Sequence, residues 1–510
     1  MADEKLLGLL KQGPAVWNVW KRQNALLTLD FSETDLTRCD LFGVDLAGAN
    51  LIGANLDGAH LGEANLVRCN LSGASLQGAT ITRANLAKAN LSRGSLEEAE
   101  LTGTDLTRAN LTGAKLDKAD LRGAQLLLAN LTRTSFVEAK FPVAELSKAV
   151  LTGADLSRAN LAGANLQGAR LLTANLSGAD LTRANLEGSN LWKANLSGAK
   201  LTGADVSHAQ LVDADLSRAD LLLAKLVSAN LQGAHLAEAS LKEADLTEAR
   251  LVETDLWRAE LAGAKLVGAE LIRTNLAEAD LKGANLSRSI LYNTNLEKAN
   301  LDGCTIYGFS FLGSTIEEVH QNNLVVTSPD EPTVSVDDIE IAYYVGLYLH
   351  NRRIRSAISS MARNMVLVLG RFPHGRQLVL EAILEELRRR GYLPITLDLE
   401  GSSDLHLKEI LLTLMGLSRF VIADLSGARD YRLELEAMAP SFSSAPVQPL
   451  LAHSDSDAVL MDNISSYPHF LNLYTYRDEE ELMASLSTKV VDPLEEKVRE
   501  LPKRRSTDKG

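Results

Sequence analysis

From Phe31 to Ile316 every fifth residue is Leu, Ile, Val or Phe, 58 consecutive positions without a slip of register. Two residues before each sits a small residue, most often Ala, as in Ala49-Asn50-Leu51, Ala84-Asn85-Leu86 and Ala154-Asp155-Leu156. Helices repeat every 3.6 residues and strands every 2, so a period of five belongs to neither. The flanks follow other patterns. Residues 1–25, with Leu6, Leu7, Leu10, Val16, Trp17 and Trp20, suit a helical N-terminal cap on the array at 26–318. Residues 319–335, with Asn322, Asn323, Pro329 and Pro332, read as a linker. Residues 336–363 read as a connecting helix with Ile339, Ile341, Tyr344, Val345, Tyr348 and Leu349 on one face. From 364 to 502 strands and helices alternate. The pattern predicts strands at 365–369, 393–398, 419–424, 447–451 and 471–475, and helices at 376–390, 404–416, 431–438 and 479–501. Residues 503–510 form a charged tail.

The five-residue pattern resembles the pentapeptide-repeat family, A(D/N)LXX. That resemblance implies an all-β right-handed quadrilateral β-helix, four pentapeptides to a coil, with the central Leu and the small residue two before it pointing inward. A narrow interior with one large and one small side chain per face fits this arrangement, and coils should stack at about 4.8 Å. Four repeats per coil give about 14.5 coils and a rod of about 70 Å. Trp17-Asn18-Val19-Trp20 is similar to the leader ahead of other pentapeptide arrays. Cys39, Cys69 and Cys304 all fall two residues before a centre and are read as small buried hydrophobes in place of Ala.

With twenty residues to a coil, outward residues twenty apart share a column. One such column reads Leu172, Trp192, Val212, Gln232, Val252, Ile272, Tyr292, Leu312, whereas its N-terminal continuation is mostly Ser and Thr. A contiguous apolar ladder on a soluble protein marks a contact surface. Leu172, Trp192, Val212, Val252, Ile272, Tyr292 and Leu312 are therefore expected to meet the chain's own C-terminal domain, a second copy or another protein.

In the C-terminal domain, Ser418-Arg419-Phe420-Val421-Ile422-Ala423-Asp424-Leu425-Ser426, followed by Glu434-Leu435, is similar to the core of TIR-like and nucleoside-deoxyribosyltransferase-like domains. The resemblance implies a flavodoxin-like or TIR-like α/β domain with a parallel sheet, and a Glu, here Glu434, addressing the ribose of a nucleotide-type ligand. A carboxylate there stabilises an oxocarbenium-like transition state. Asp430-Tyr431 stand where TIR domains often carry Trp-Cys. Ligands of open parallel sheets bind beyond the carboxyl ends of the strands. Gly370, Arg371, Phe372, Arg376, Asp398 and Asp424 are the candidate nucleotide-binding residues on that ground, with the two arginines suited to phosphate. NAD or a related nucleotide is the candidate ligand or substrate, and no cofactor is required.

Charge narrows the classes further. The chain has 52 Lys+Arg and 66 Asp+Glu, a net charge of −14, which argues against direct binding of nucleic acid. There is no run of 18 apolar residues and no basic-then-apolar start, so a cytoplasmic protein without a membrane segment is expected. Neither a phosphate-binding G-x-x-x-x-G-K-[ST] loop nor a metal-ligand motif occurs. The leading reading is a scaffold or sensor rod coupled to a nucleotide-responsive TIR-like effector, which resembles bacterial stress or antiphage signalling proteins. The alternatives are an NAD-glycohydrolase or nucleoside-processing enzyme using Glu434, and an interaction rod that mimics DNA to modulate a nucleic-acid enzyme.

Overall fold

The computed structural model describes residues 4–24, 27–350, 364–370, 376–398, 405–426, 445–453 and 467–500. The chain divides into two compact units, Met1–Asn300 with Leu312–Val319, and Leu301–Phe311 with His320–Gly510.

In the first unit the backbone hydrogen bonds account for the five-letter code. Around Leu51, the Leu51 and Gly53 amides donate to Asn70 O and Ser72 O of the next coil at 2.7 and 3.0 Å. Asn55 N donates to Thr34 O of the preceding coil at 2.8 Å. Ala54 N closes a turn on Leu51 O at 3.1 Å, and Gly53 within it has a φ of 63°. One donor is left, Ile52 N, and the Asn50 side chain accepts it through Oδ1 at 3.3 Å. Where an Asn or Asp precedes the centre, its side chain thus satisfies the one amide that neither the turn nor the neighbouring coils reach.

Parallel bridges between residues twenty apart run from Asp30–Asn50 to Asn295–Thr315, so each coil has four pentapeptides. Toward the C-terminal end the bridges lengthen into strands β1 (Glu270–Ile272) and β2 (Ile290–Tyr292), paired in parallel with Leu271 against Leu291. Leu51 and Ala49 are fully buried, as are most of their equivalents along the stack. Where Thr replaces the inner Ala, its hydroxyl donates to a carbonyl 23 residues earlier, as Thr104 Oγ1 does to Ile81 O at 2.7 Å. Phe136 and Phe141 fill the interior on adjacent faces, with ring centroids 5.0 Å apart. Cys69 is buried, and burial pushes its thiol up to about 12. Cys304 is also buried, but Cys39 is only partly so, in contrast to the expectation for all three.

The stack begins with α1 (Glu4–Leu10) and α2 (Pro14–Gln23). Pro14 suits the first turn of α2, where its missing N–H has no helical partner to lose. Trp17 is fully buried, sits edge-on to Phe31 and donates from Nε1 to Asp45 O at 2.7 Å. The Asn18 side chain donates to Gly43 O at 2.9 Å and accepts from Asp45 N at 2.8 Å. Asp45 N is the amide that a carbonyl of a preceding coil would otherwise accept, as Thr34 O accepts Asn55 N, so the Asn18 side-chain oxygen stands in for a peptide carbonyl of that coil.

In the second unit the expected linker at 319–335 carries the short strand Leu324–Val325 and the start of another, Val334–Val336. Leu301 N donates to His320 O at 2.7 Å and Gly303 N to Asn322 O at 2.8 Å, so the twenty-residue spacing persists past the last pentapeptide. Val325 N then donates to Cys304 O at 2.8 Å, while β4 (Leu324–Val325) pairs antiparallel with β5 (Val334–Val336). Numbering β3 as Ser310–Leu312 and continuing with β6 (Met365–Gly370), β7 (Leu393–Asp398), β8 (Phe420–Asp424), β9 (Val447–Ala452) and β10 (Tyr474–Tyr476), the sheet order is β10-β9-β8-β6-β7-β5-β4. Pro329 and Pro332 lie in the connection between β4 and β5 and Asn322 and Asn323 lead into β4, and strands of two and three residues leave no apolar run long enough to stand out from these breakers.

The connecting helix is α3 (Ile339–His350), shorter than 336–363 because Val334–Val336 is a strand; residues 351–363 lie outside the described residues. The last strand is Tyr474–Tyr476 rather than 471–475. The final helix is interrupted: α6 (Glu479–Ser485) passes through a π-helical turn at Leu486–Val491 into α7 (Asp492–Glu500), numbering α4 as Gln377–Arg389 and α5 as Leu405–Leu417. The expected helix at 431–438 lies outside the described residues. β6, β7, β8, β9 and β10 are mutually parallel. One core joins Val366, Val368, Phe420 and Ile422 to Val379, Ile383 and Leu387 of α4 and to Leu482, Leu486 and Leu494. The intervening residues Leu367, Leu369, Val421 and Ala423 are buried as well, so both faces of the sheet are covered.

Candidate functional site

In chain order the five parallel strands lie 2-1-3-4-5, the flavodoxin-like arrangement, in which the order reverses between the first and third strands. Here that point lies between β6 and β8. β6 ends at Gly370 and β8 at Asp424, and Arg376 precedes the first turn of α4. Arg376 Nη2 lies 2.8 Å from Asp424 Oδ2, with Asp424 fully buried and the Arg376 side chain 17% exposed. Arg376 also donates to the Tyr476 hydroxyl at the end of β10. Burial, and then the Asp424 carboxylate, push the Tyr476 phenol above its ordinary range. Asp424 Oδ1 accepts Ser426 N at 3.1 Å, and Ser426 Oγ accepts Ala452 N at 2.8 Å. One buried polar network therefore ties together the carboxyl ends of β8, β9 and β10 and the start of α4.

Of the candidate residues, the structure brings Arg376 and Asp424 into contact and places Gly370 and Asp398 at the ends of the adjacent strands β6 and β7. Arg371, Phe372 and Glu434 lie outside the described residues. Tyr476 and Ser426 were missed. Nothing local in the sequence links position 476 to position 376, and only the strand order does so. A separate groove of about 740 Å³ lies between α4 and the antiparallel strands, lined by Gln377, Glu381, Glu385, Arg388, Ser335 and Thr396. Arg388 there is held by Asp337. No group of His, Cys, Asp and Glu among the described residues could hold a metal ion, and no described helix is long and apolar enough to cross a membrane.

In the first unit the apolar column is a ladder of stacked positions. Thr173 N donates to Trp192 O at 2.9 Å, Lys193 N to Val212 O at 3.0 Å and Arg273 N to Tyr292 O at 2.8 Å. Trp192 is 39%, Tyr292 42% and Leu312 66% exposed; Leu172, Val212 and Ile272 are half-buried, and Val252 is buried. The Lys193 ammonium lies 4.6 Å from the Trp192 ring centre. On an adjacent corner of the coil, charges alternate in a second column, with Arg218–Glu238 at 2.8 Å, Arg258–Glu278 at 2.7 Å and Lys298–Glu318 at 3.9 Å.

A filled interior and four five-residue sides to a coil, many of them closed by an Asx side chain, define a right-handed quadrilateral β-helix. The family model described as pentapeptide repeats (8 copies) matches in overlapping windows from residue 30 to residue 306. The chain belongs to the pentapeptide-repeat family. No curated protein matches it. Among solved structures it is similar to HetL, a pentapeptide repeat protein involved in heterocyst differentiation regulation from the cyanobacterium Nostoc sp. strain PCC 7120. The two are 29% identical over 49% of this chain and 90% of HetL, with a TM-score of 0.19. A pentapeptide repeat protein of the Arabidopsis thaliana thylakoid lumen is 24% identical over 32% of this chain and 78% of its own, with a TM-score of 0.14. QnrB1, a plasmid-mediated fluoroquinolone resistance protein, is 20% identical over 33% of this chain and 88% of its own, with a TM-score of 0.18.

Proposed function

We propose that the pentapeptide array is a protein-docking scaffold and that the second unit is a TIR-like effector responding to NAD or a related nucleotide, in bacterial stress or antiphage signalling. The observation that carries this reading is the Arg376–Asp424–Tyr476 cluster at the reversal point of a 2-1-3-4-5 parallel sheet. Ligands of such sheets bind there. The guanidinium is the group that would meet a phosphate, and Glu434 is the carboxylate that would meet the ribose. Docking by the array is supported by its filled interior, which leaves only its outward columns to act, and by the exposure of Trp192 and Tyr292.

A ligand that binds the folded state raises its stability by mass action, by about 2.7 kcal/mol at a hundred times its Kd. Thermal melting of the full chain with NAD and with ADP-ribose is therefore expected to show a saturable rise, lost in Arg376→Ala and kept in Trp192→Asp. No shift with either at millimolar concentration overturns the nucleotide reading. Consumption of NAD by the wild type and not by Glu434→Gln replaces the sensor with an enzyme.

A further inference from the structure

The apolar column reads nearly the same from either end. About the midpoint between Gln232 and Val252, Leu172 mirrors Leu312, Trp192 mirrors Tyr292 and Val212 mirrors Ile272. The twenty-residue bridges and the ladder bonds through Trp192, Val212 and Tyr292 make these equal distances along one face, not only along the sequence. We propose that the occupant of this face is a second copy of the chain, running antiparallel about a two-fold axis at that midpoint; this rests on the reading of the column as a docking surface.

A two-fold axis lying in the plane of the face and across the coils sets each residue against its mirror position in the other copy. Trp192 then meets Tyr292 twice, an aromatic pair about 12 Å to either side of the axis, at which Gln232 meets Val252. The neighbouring exposed column gives an independent check. There Asp213 mirrors Arg273, opposite charges that meet twice, while Lys193 mirrors Asn293. On the other side Asn230 mirrors Arg250 and Gln210 mirrors Glu270, so no like charges are opposed. A parallel pair centred on the column sets each residue on its own copy, Trp192 on Trp192, and does not bring Asp213 to Arg273, so the charge exchange between those two positions separates the arrangements.

Eight coils at about 4.8 Å span about 38 Å, and a strip about 10 Å wide then buries about 400 Å² per copy. That is half of the roughly 800 Å² of a standard interface, so the association is reversible and concentration-dependent.

Sedimentation of the full chain across a concentration series tests this. The wild type is expected to pass from monomer to dimer, Trp192→Asp and Asp213→Arg each to weaken the dimer at least tenfold, and Asp213→Arg with Arg273→Asp together to restore it. Arg273 also pairs with Glu253 of its own chain, so Arg273→Asp alone is followed by thermal melting to separate misfolding from lost association. A monomer at every concentration overturns the second-copy assignment while leaving the face open to another protein. A dimer indifferent to Trp192→Asp overturns the docking reading of the column as well.

Discussion

At the third position of each pentapeptide the backbone takes the left-handed conformation, and 36 non-glycine residues adopt it with φ of 51–60°. Most are charged or polar, but Val143 is β-branched, has φ 51° and is 70% exposed. A side chain in that region costs about 1–2 kcal/mol, and at Val143 there is little burial to offset it. Val143→Gly is expected to raise stability by about 1 kcal/mol after glycine's larger unfolded-state entropy is counted. The reverse change one coil on, Gly163→Val at φ 65°, is expected to lower it by a similar amount, both read by chemical denaturation. In the second unit, Glu495 accepts from Arg419 Nε and Nη2 at 2.6 and 2.7 Å and from the Tyr392 hydroxyl at 2.6 Å. The Arg419 hydrogen bonds, more than the Tyr392 one, hold its carboxyl below the usual range. A depressed carboxyl contributes stability that is complete above the ordinary carboxylate range and lost as pH falls through it toward the folded value. Glu495→Gln is therefore expected to cost about 2 kcal/mol at pH 7, with the gap to wild type narrowing as the pH drops below about 4, measured by urea titration at both values.

At the scale of elements, the N-terminal helices serve the stack mainly through two side chains. Asn18→Ala removes one donor and one acceptor at the first coil and is expected to cost about 2 kcal/mol. Asn18→Asp keeps only the acceptor and should fall between, as seen in the protection of amides near Gly43 and Asp45 by hydrogen exchange. How far the sequence reveals such elements depends on how local their cause is. The pentapeptide is legible because its inner pair and its Asn or Asp recur within five residues. The strands of the second unit are legible as apolar runs such as Met365–Leu369 and Phe420–Asp424. β4 and β5 escaped notice because each is short, and their pairing is decided by contact with β7 rather than by their own composition. Arg376 was legible at a helix start and Asp424 at a strand end, whereas their meeting with Tyr476 depends on the order of strands, which no local pattern encodes.

Across the first unit as a whole, the coil sets what a change in length can do. Deleting residues 93–112 removes one coil and leaves every column in register. Deleting only 93–102 shifts all later columns by two sides, so that hydrogen-bonded Asn ladders such as Asn110 on Asn90 are broken. The first deletion is expected to leave the melting transition cooperative and the association behaviour unchanged. The second is expected to lower the melting transition through the broken ladders at the junction but to keep association, because the column from Leu172 to Leu312 and its flanks shift together; circular dichroism melting and sedimentation read both. Nearest-neighbour stacking makes the outcome depend on the register and little on the number of coils.

Stacked parallel strands with identical spacing are the geometry of fibres that grow by adding copies at a tip. Asn18 Oδ1 accepts Asp45 N and Trp17 Nε1 donates to Asp45 O, so two side chains occupy two of the backbone groups that an incoming molecule would need there. Together they withhold part of that edge from runaway polymerisation, and loss of Asn18 should show first as thioflavin-positive filaments rather than as an unfolded chain.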